Sequence, residues 1–353
     1  MMKYQDFPNR LIPMNRRSFL VLSGMLGAGT AAAGVFVSES EAAKLDRNRH
    51  KISKTLPKMG TFVSMTLIHS SKDKAEDAMG QAFAEIDRLE KMFNRFDQST
   101  AVAGLNTDGY IKSMPPELNE VITRAIQYHE TSRGTFDITV KPVVDLFQEK
   151  MGGDQKRMPT EKELREVLRL VDAKKIRLNN GNLRFMQPGM GITLDGIAKG
   201  YIVDKASEVL TVHGIDDHLI NAGGDIRTRG GKPGKLPWTV AIQDPAKKNH
   251  YPDIIHLRDG AVATSGNYEI FYDKEKMFHH IVDPHSGLSP LLASSVSVKA
   301  RTTMDADALS TSVFVMNPEK GMAFIEQLPD CDCLIVTRDN NQLRSTGWKS
   351  AAV

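Results

Sequence analysis

The order of apolar and polar positions after residue 60 predicts a strand followed by an amphipathic helix. The stretch "TFVSMTLIH" (61–69) alternates as a half-buried strand does. The apolar positions that follow recur every three or four residues, which is the period of one helix face. They are Met79, Phe83, Ile86, Leu89 and Phe93.

Two further helices and a hairpin are marked by local signals. One helix follows Pro115 and Pro116. Its apolar stripe is Leu118, Val121, Ile122 and Ala125. A second helix begins at Thr160, where Glu163 stands three residues later and completes a capping box. The pair Asn180-Gly181 lies between two short alternating runs, which predicts a hairpin with a tight turn.

The rest of the chain mixes several strands with two more helices, near 197–213 and 306–315. The predicted strands are "HLINAGG", "WTVAIQD", "GAVATSG", "HIVDP", "SSVSVKA" and "CLIVTR". Because strands cluster and do not alternate regularly with helices, we expect an α+β fold with largely antiparallel sheets flanked by helices. No repeat or linker divides residues 44–353, so we expect a single catalytic domain there.

The N-terminus has the pattern of an export signal. Arg16 and Arg17 precede Ser18, Phe19 and Leu20, and then a short apolar stretch rich in glycine and alanine. This is typical of a twin-arginine signal peptide, which we assign to residues 1–43 and exclude from the fold. The alternative is an uncleaved membrane anchor.

The charge balance excludes a strong electrostatic field. Lys and Arg number 46 against 43 Asp and Glu, a formal charge of +3. We therefore expect no nucleic-acid partner, and any bound anion must be held by local groups.

Three glycine-rich segments are candidates for binding such an anion: "TLDGIAKGY" (193–201), "INAGGDIRTRGG" (220–231) and "ATSGNYE" (263–269). Ala222, Gly223 and Gly224 would let backbone N–H groups approach a phosphate or a flat ring, or would simply form a tight turn. Lys199 stands near the start of a helix that favours anions, unless it is a solvated surface lysine.

Asp307 and Thr311 are candidates for a metal site. Four residues apart on a helix, their side chains share one face with Cβ atoms ~6 Å apart, and their oxygens suit Mg²⁺. The alternative is that Asp307 favours the helix dipole and Thr311 bonds back to a carbonyl. His280, in "HHIVDPHSG" (279–287), is a general base, a phosphate contact or an ordinary histidine beside a turn.

Taken together, these segments resemble the ApbE family of FAD:protein FMN transferases, the flavin-trafficking proteins. The resemblance covers nearly all of residues 59–348. It follows, in order, "MGTFVSM", "LEKMFNRFDQSTAVAGLN", "RGTFDITVKPVVDL", "TLDGIAKGYIVDKA", "INAGGDIRTRG", "WTVAIQDP", "GAVATSGNYE", "HHIVDPHSG" and "DADALSTSVFVM". It implies a T-fold-like ApbE architecture, FAD as the substrate and Mg²⁺ at its pyrophosphate.

The resemblance also implies roles for individual residues. Asp307 and Thr311 match the metal-binding pair, with the Gly196 carbonyl as a third ligand. His280 matches a histidine close to the phosphates and is our first choice of general base, with Asp307 the second. The residues matching segments that bind the flavin nucleotide are Phe136, Asp137, Ala222, Gly223, Gly224, Thr264, Ser265, Gly266 and His280; to these we add Lys199 from its place near the helix start. The chain departs from the family's usual D-L-G-G at Asp195, whose carboxylate stands at a shifted position.

The function implied is Mg²⁺-dependent transfer of FMN from FAD to a threonine or serine hydroxyl of a target protein, with release of AMP. The alternatives are an FAD pyrophosphatase that gives free FMN and AMP, and a periplasmic flavin carrier without turnover. We expect exported redox proteins as acceptors, membrane-associated ones included. The enzyme itself would be periplasmic, either free or associated with the inner membrane.

Overall fold

A computed structural model describes residues 49–152, 157–245, 251–267, 279 and 281–351. The predicted signal peptide therefore lies outside the described residues. Within these ranges, no helix combines the length and the apolar character needed to cross a membrane.

The largest feature of the described residues is an eight-stranded sheet in which every neighbouring pair is antiparallel. Its spatial order is β1-β2-β6-β7-β10-β11-β12-β13. The strands are β1 (His50–Lys58), β2 (Thr61–His69), β6 (Asp217–Ala222), β7 (Asp225–Arg229), β10 (Gly260–Gly266), β11 (Ala293–Ala300), β12 (Asp332–Thr337) and β13 (Gln342–Arg344). The predicted α+β class with antiparallel sheets is confirmed.

Helices pack on one face of this sheet and enclose the main apolar core. The helices of the described residues are α1 (Lys72–Phe93), α2 (Ala101–Asp108), α3 (Pro116–Thr131), α4 (Lys141–Gly152), α5 (Glu161–Leu168), α6 (Ala198–Val212), α7 (Thr303–Val315) and α8 (Pro318–Ile325). The stripe predicted for α1 is buried at all five positions. The capping box at Thr160 is present at the start of α5, so both local predictions are confirmed.

The other face of the large sheet is covered by the antiparallel ribbon of β8 (Trp238–Ile242) and β9 (Asp253–Leu257). The fully buried Trp238 anchors a second apolar cluster there. The central strands of the large sheet are thus buried on both faces, which explains why β10 is apolar or small along its whole length.

A separate three-stranded sheet has the order β3-β5-β4. Its strands are β3 (Tyr110–Ile111), β4 (Ile176–Asn179) and β5 (Asn182–Phe185). Asn180 and Gly181 form the turn between β4 and β5 and both have positive φ, which confirms the predicted hairpin.

Two predictions need correction. The helix expected over 306–315 begins at Thr303, after the cap Thr302, whose side chain accepts a hydrogen bond from the Asp305 N–H. Because this helix is buried nearly all round, it has no polar face whose periodicity would mark its start. The strand expected at "HIVDP" is absent from residues 281–284, which lead into a turn.

Candidate functional site

Most of the predicted site residues line one cavity, which we call the central cavity. It lies where the start of α6, the middle of α7, the end of β10 and residues 135–138 meet. The predicted residues that line it are Phe136, Asp137, Gly196, Lys199, Thr264, Ser265, Gly266, Asp307 and Thr311. Residues more than a hundred positions apart are therefore assembled at one place.

Asp307 and Thr311 face this cavity from consecutive turns of α7. The Asp307 side chain is buried, and its Oδ2 accepts a hydrogen bond of 3.0 Å from the backbone N–H of Gly200 on α6. The Thr311 Oγ1 lies 3.1 Å from the Ser265 Oγ at the end of β10. The two side chains are thus held by neighbouring elements in a fixed orientation toward the cavity.

Gly196 brings its backbone against the Thr311 hydroxyl. A Cβ at this position would lie 3.1 Å from Thr311 Oγ1 and 3.4 Å from the Phe136 ring. Only a residue without a side chain fits this approach without displacing its neighbours. The cavity wall therefore offers the Asp307 carboxylate, the Thr311 hydroxyl and, next to them, the backbone of Gly196, whose carbonyl oxygen is the third predicted ligand.

These donors are all oxygens, which is the ligand chemistry that Mg²⁺ prefers. Among the described residues, no group of three or more His, Cys, Asp or Glu side chains is arranged to hold a metal ion. One carboxylate with neutral oxygens fits an ion that takes few protein ligands and completes its shell with water and phosphate oxygens. The residues present therefore fit Mg²⁺.

The end of β10 is fastened to its neighbours by hydroxyl contacts. Ser265 Oγ lies 2.8 Å from Ser310 Oγ on α7, in addition to its contact with Thr311. Thr264 Oγ1 lies 2.7 Å from Ser297 Oγ on β11. These contacts fix the position of the predicted flavin-binding strand relative to α7 and β11.

Lys199 reaches the cavity together with an acidic residue that the sequence analysis did not single out. Its Nζ lies 3.0 Å from Oδ2 of Asp225, a residue that is only 2% exposed. Asp225 is the first residue of β7 and also lines the cavity. The available signal in the sequence was a carboxylate directly after Gly223-Gly224, at the start of a strand.

Phe136 and Asp137 form a further part of the wall, and the Asp137 carboxylate is engaged in holding it. Its Oδ1 accepts hydrogen bonds of 2.7 and 2.5 Å from the N–H and hydroxyl of Thr139. Its Oδ2 accepts another of 3.0 Å from the N–H of Ala173. Asp137 therefore shapes the cavity through the protein contacts of its side chain.

His129 and Tyr128 support this wall from α3. His129 Nδ1 lies 3.1 Å from Asp137 Oδ2, and this contact raises the pKa of the imidazole above its usual value. The Tyr128 ring packs edge-on against Phe136, with ring centroids 6.2 Å apart. Its hydroxyl donates a hydrogen bond of 2.7 Å to Asp305 in the first turn of α7. The wall formed by Phe136 and Asp137 is thus connected to α7, which carries Asp307, and the sequence did not reveal this connection.

Ala222, Gly223 and Gly224 do not line the central cavity. Gly223 and Gly224, both with positive φ, form the hairpin turn between β6 and β7. The Asn221 side chain accepts a hydrogen bond of 2.9 Å from the Gly224 N–H and stabilises this turn. Both glycines line a separate depression that shares Thr264 with the central cavity.

His280 lies outside the described residues. The carboxylate of Asp195 is exposed at the cavity rim, where its Oδ2 lies 3.4 Å from Arg95 Nη2. The Arg95 guanidinium in turn stacks on the exposed Phe96 ring, 4.3 Å from its centroid. Asp195 is therefore a rim residue.

Comparison with known proteins gives a consistent result. The model of the ApbE family matches residues 59–335. The chain is 30% identical over 302 residues to an FAD:protein FMN transferase of Treponema pallidum, covering 79% of this chain and 83% of that protein. It is also 30% identical over 257 residues to one of Vibrio cholerae, covering 69% and 77%.

Solved structures agree. The ApbE protein of Thermotoga maritima superposes with a TM-score of 0.77 at 28% identity, covering 84% of this chain and 97% of that one. The apo form of the flavinyl transferase ApbE of Pseudomonas stutzeri gives a TM-score of 0.74 at 25% identity, covering 86% and 98%.

Proposed function

Because this chain belongs to the ApbE family of flavin transferases, we propose that it transfers FMN from FAD to a threonine or serine hydroxyl of another protein in a Mg²⁺-dependent reaction. The observation that carries the proposal is the convergence of Asp307, Thr311 and Gly196 on the central cavity. FAD is the substrate and AMP the second product.

The residues of the cavity account for binding and orientation. Asp307, Thr311 and the Gly196 carbonyl would hold Mg²⁺, which when bound neutralises charge on the pyrophosphate oxygens. Lys199, kept near the cavity by Asp225, supplies a second positive charge for a phosphate. Phe136 and the end of β10 would bind the flavin nucleotide.

In the transfer itself, the acceptor oxygen attacks the FMN-side phosphorus and an O–P bond forms. The P–O bond to the AMP phosphate breaks, and AMP leaves with the bridging oxygen. The proton of the acceptor hydroxyl goes to a base, for which we propose His280 first and Asp307 second. A strong base is not required, since charge neutralisation and positioning dominate phosphoryl transfer.

Product analysis tests this function. The protein is co-expressed with exported redox proteins as candidate acceptors, and each acceptor is denatured and weighed by mass spectrometry. We expect one acceptor to carry an added FMN that disappears when its modified threonine or serine is replaced by alanine. If the protein with FAD and Mg²⁺ yields free FMN and AMP and flavinylates no acceptor, it is a pyrophosphatase. If it returns FAD unchanged and flavinylates no acceptor, it is a carrier.

We also propose that the protein is exported by the twin-arginine route and acts in the periplasm, free or at the inner membrane. The basis is the Arg16-Arg17 pair and the apolar stretch after it. Replacing both arginines by lysine should leave the full-length precursor in the cytoplasm. Normal export of that variant would contradict the proposal.

A further inference from the structure

A larger cavity of about 730 Å³ lies beside the central cavity, and we call it the outer cavity. It is lined by residues 106–110 at the end of α2 and the start of β3, by the first turns of α4, and by residues 184–191, together with Arg177. None of the residues assigned above to FAD or Mg²⁺ lines it.

The two cavities share a wall. On α4, Lys141 and Asp145 face the outer cavity, whereas Val144 faces the central cavity. Along the chain, Gly191 lines the outer cavity and Thr193 the central one. Two residues of extended chain span roughly 7 Å. A peptide segment bound in the outer cavity would thus need only a few residues to reach the central one.

A single arginine connects the two rims as well. Arg95, with a side chain only 7% exposed, lies 3.6 Å from Asp145 of the outer cavity. It also lies 3.4 Å from Asp195 of the central cavity. One buried guanidinium therefore contacts the rims of both cavities.

The outer cavity contains a row of three side chains across the small sheet. Arg184 on β5 is directly opposite Arg177 on β4 and directly opposite Tyr110 on β3. All three residues are exposed. Like charges placed directly opposite in an antiparallel pair destabilise it, so this arrangement has a cost.

No acidic group of the described residues relieves this repulsion. Lys141 forms an ion pair with Asp145, but neither Arg177 nor Arg184 has an ion pair or a hydrogen bond from its guanidinium within the described part of the chain. Asp108, the other acidic residue of the lining, pairs with neither of them. Two guanidinium groups are therefore available to an external anion.

Such a pair is suited to a carboxylate. The guanidinium fork donates two parallel hydrogen bonds to a carboxylate, and a bound negative charge would remove the repulsion between the arginines. The half-exposed Tyr110 ring adds apolar contact and a hydroxyl next to them. The size of the cavity suits a peptide segment better than a single small anion.

We propose that the outer cavity binds an acidic segment of the acceptor protein and thereby directs the acceptor hydroxyl into the central cavity. This inference rests on the transferase function proposed above and names the partner surface that it requires. Arg177 and Arg184 bind carboxylates of the segment, and the shared wall leads the chain to the Asp307 site. They are recognition residues and take no part in phosphoryl transfer.

Two fluorescent synthetic peptides test the proposal. Both have fifteen residues with one central threonine; one has three glutamates before the threonine, and the other has three glutamines there. Anisotropy titration of the purified full chain at low salt should show the acidic peptide binding about tenfold more tightly. This preference should fall with rising salt concentration. Equal binding of both peptides, or binding of neither, would overturn the proposal.

The double variant Arg177→Gln/Arg184→Gln should bind both peptides alike. Because it removes two opposed like charges, we expect an unchanged or higher Tm, so loss of folding is not anticipated. A matched control is Lys162→Gln/Arg165→Gln on the exposed side of α5, which changes the net charge equally and should keep the preference. Persistence of the preference in the arginine variant would contradict our assignment.

Binding and turnover of FAD separate this proposal from the proposed function. FAD affinity with Mg²⁺ should be the same in the wild type and the arginine variant. A large loss of FAD affinity in the variant would show that the outer cavity binds FAD and not the acceptor. Failure of the transferase function would instead appear in the wild type, as absence of flavin transfer whatever the peptide result.

Discussion

The backbone N–H of Gly200 donates a hydrogen bond of 3.0 Å to Oδ2 of Asp307, across the contact between α6 and α7. The two helices approach closely here, because a Cβ on Gly200 would lie 2.4 Å from the carbonyl oxygen of Thr303. The orientation of the proposed metal ligand thus depends on a glycine in another helix.

The first prediction concerns Gly200→Ala. The added methyl group would collide with backbone atoms of Thr303 and Met304, so α6 and α7 must move apart. We expect a loss of about 1–3 kcal/mol in the free energy of unfolding. Because the shift also moves the Asp307 carboxylate, we expect a marked loss of Mg²⁺-dependent FAD turnover as well. Urea unfolding and initial rates with FAD measure the two effects.

Gly80→Ala is the matched control for this substitution. Gly80 is exposed within α1, and a Cβ there would have no neighbour within 4 Å. Alanine should raise stability by up to about 1 kcal/mol through its helix propensity and leave turnover unchanged. If the two variants had the same stability and the same turnover, the α6–α7 contact would not be important for either property.

The second prediction separates the structural and binding roles of Lys199. Lys199→Met would remove the ammonium group 3.0 Å from the buried Asp225 carboxylate, and we expect a loss of about 3 kcal/mol of stability together with weaker FAD binding. The double variant Lys199→Met/Asp225→Asn removes the buried charge as well. It should regain much of the stability but not the FAD affinity. Recovery of both would mean that Lys199 does not contact the substrate.

The third prediction concerns acid stability. His218 is fully buried, with Nδ1 2.7 Å from the Ile215 carbonyl and Nε2 2.7 Å from Ser207 Oγ. Burial lowers the pKa of His218 from 6.5 to about 4. Its neutral form therefore stabilises the fold fully above pH 6.5. This contribution, on the order of 3 kcal/mol, is lost as the pH falls from 6.5 through 4.

Unfolding free energies of the wild type and His218→Gln between pH 8 and pH 4 measure this loss. Glutamine does not titrate, so the advantage of the wild type over the variant should shrink as the pH falls below 6.5. A constant difference over that range would show that His218 does not control acid sensitivity.

The elements best predicted from the sequence are those with local causes. The turn at Asn180-Gly181 and the capping box at Thr160 each depend on residues within three positions of one another. The start of α7 was missed because a helix buried all round has no amphipathic pattern. Its contact with Gly200 depends on packing between distant segments, which the sequence does not display.

The residues of the candidate site also divide into those predicted from local spacing and those that depend on contacts between distant segments. Asp307 and Thr311 share a helix face, so their common orientation followed from spacing alone. The pairing of Lys199 with Asp225 did not, since it requires α6 to lie beside the start of β7. Gly223 and Gly224 were open to two interpretations, a phosphate contact or a tight turn, and the structure places them in a hairpin turn beside the cavity.

The most direct test of the account is metal binding by Asp307→Asn. Asparagine can still accept the hydrogen bond from Gly200 but carries no charge, so the fold should be kept. With FAD present, titration of the wild type with Mn²⁺ followed by electron paramagnetic resonance should show one bound ion per chain. The variant should bind the ion at least about tenfold more weakly and lose FAD turnover. Undiminished metal affinity and turnover in the variant would contradict the assignment of Asp307 as the metal ligand.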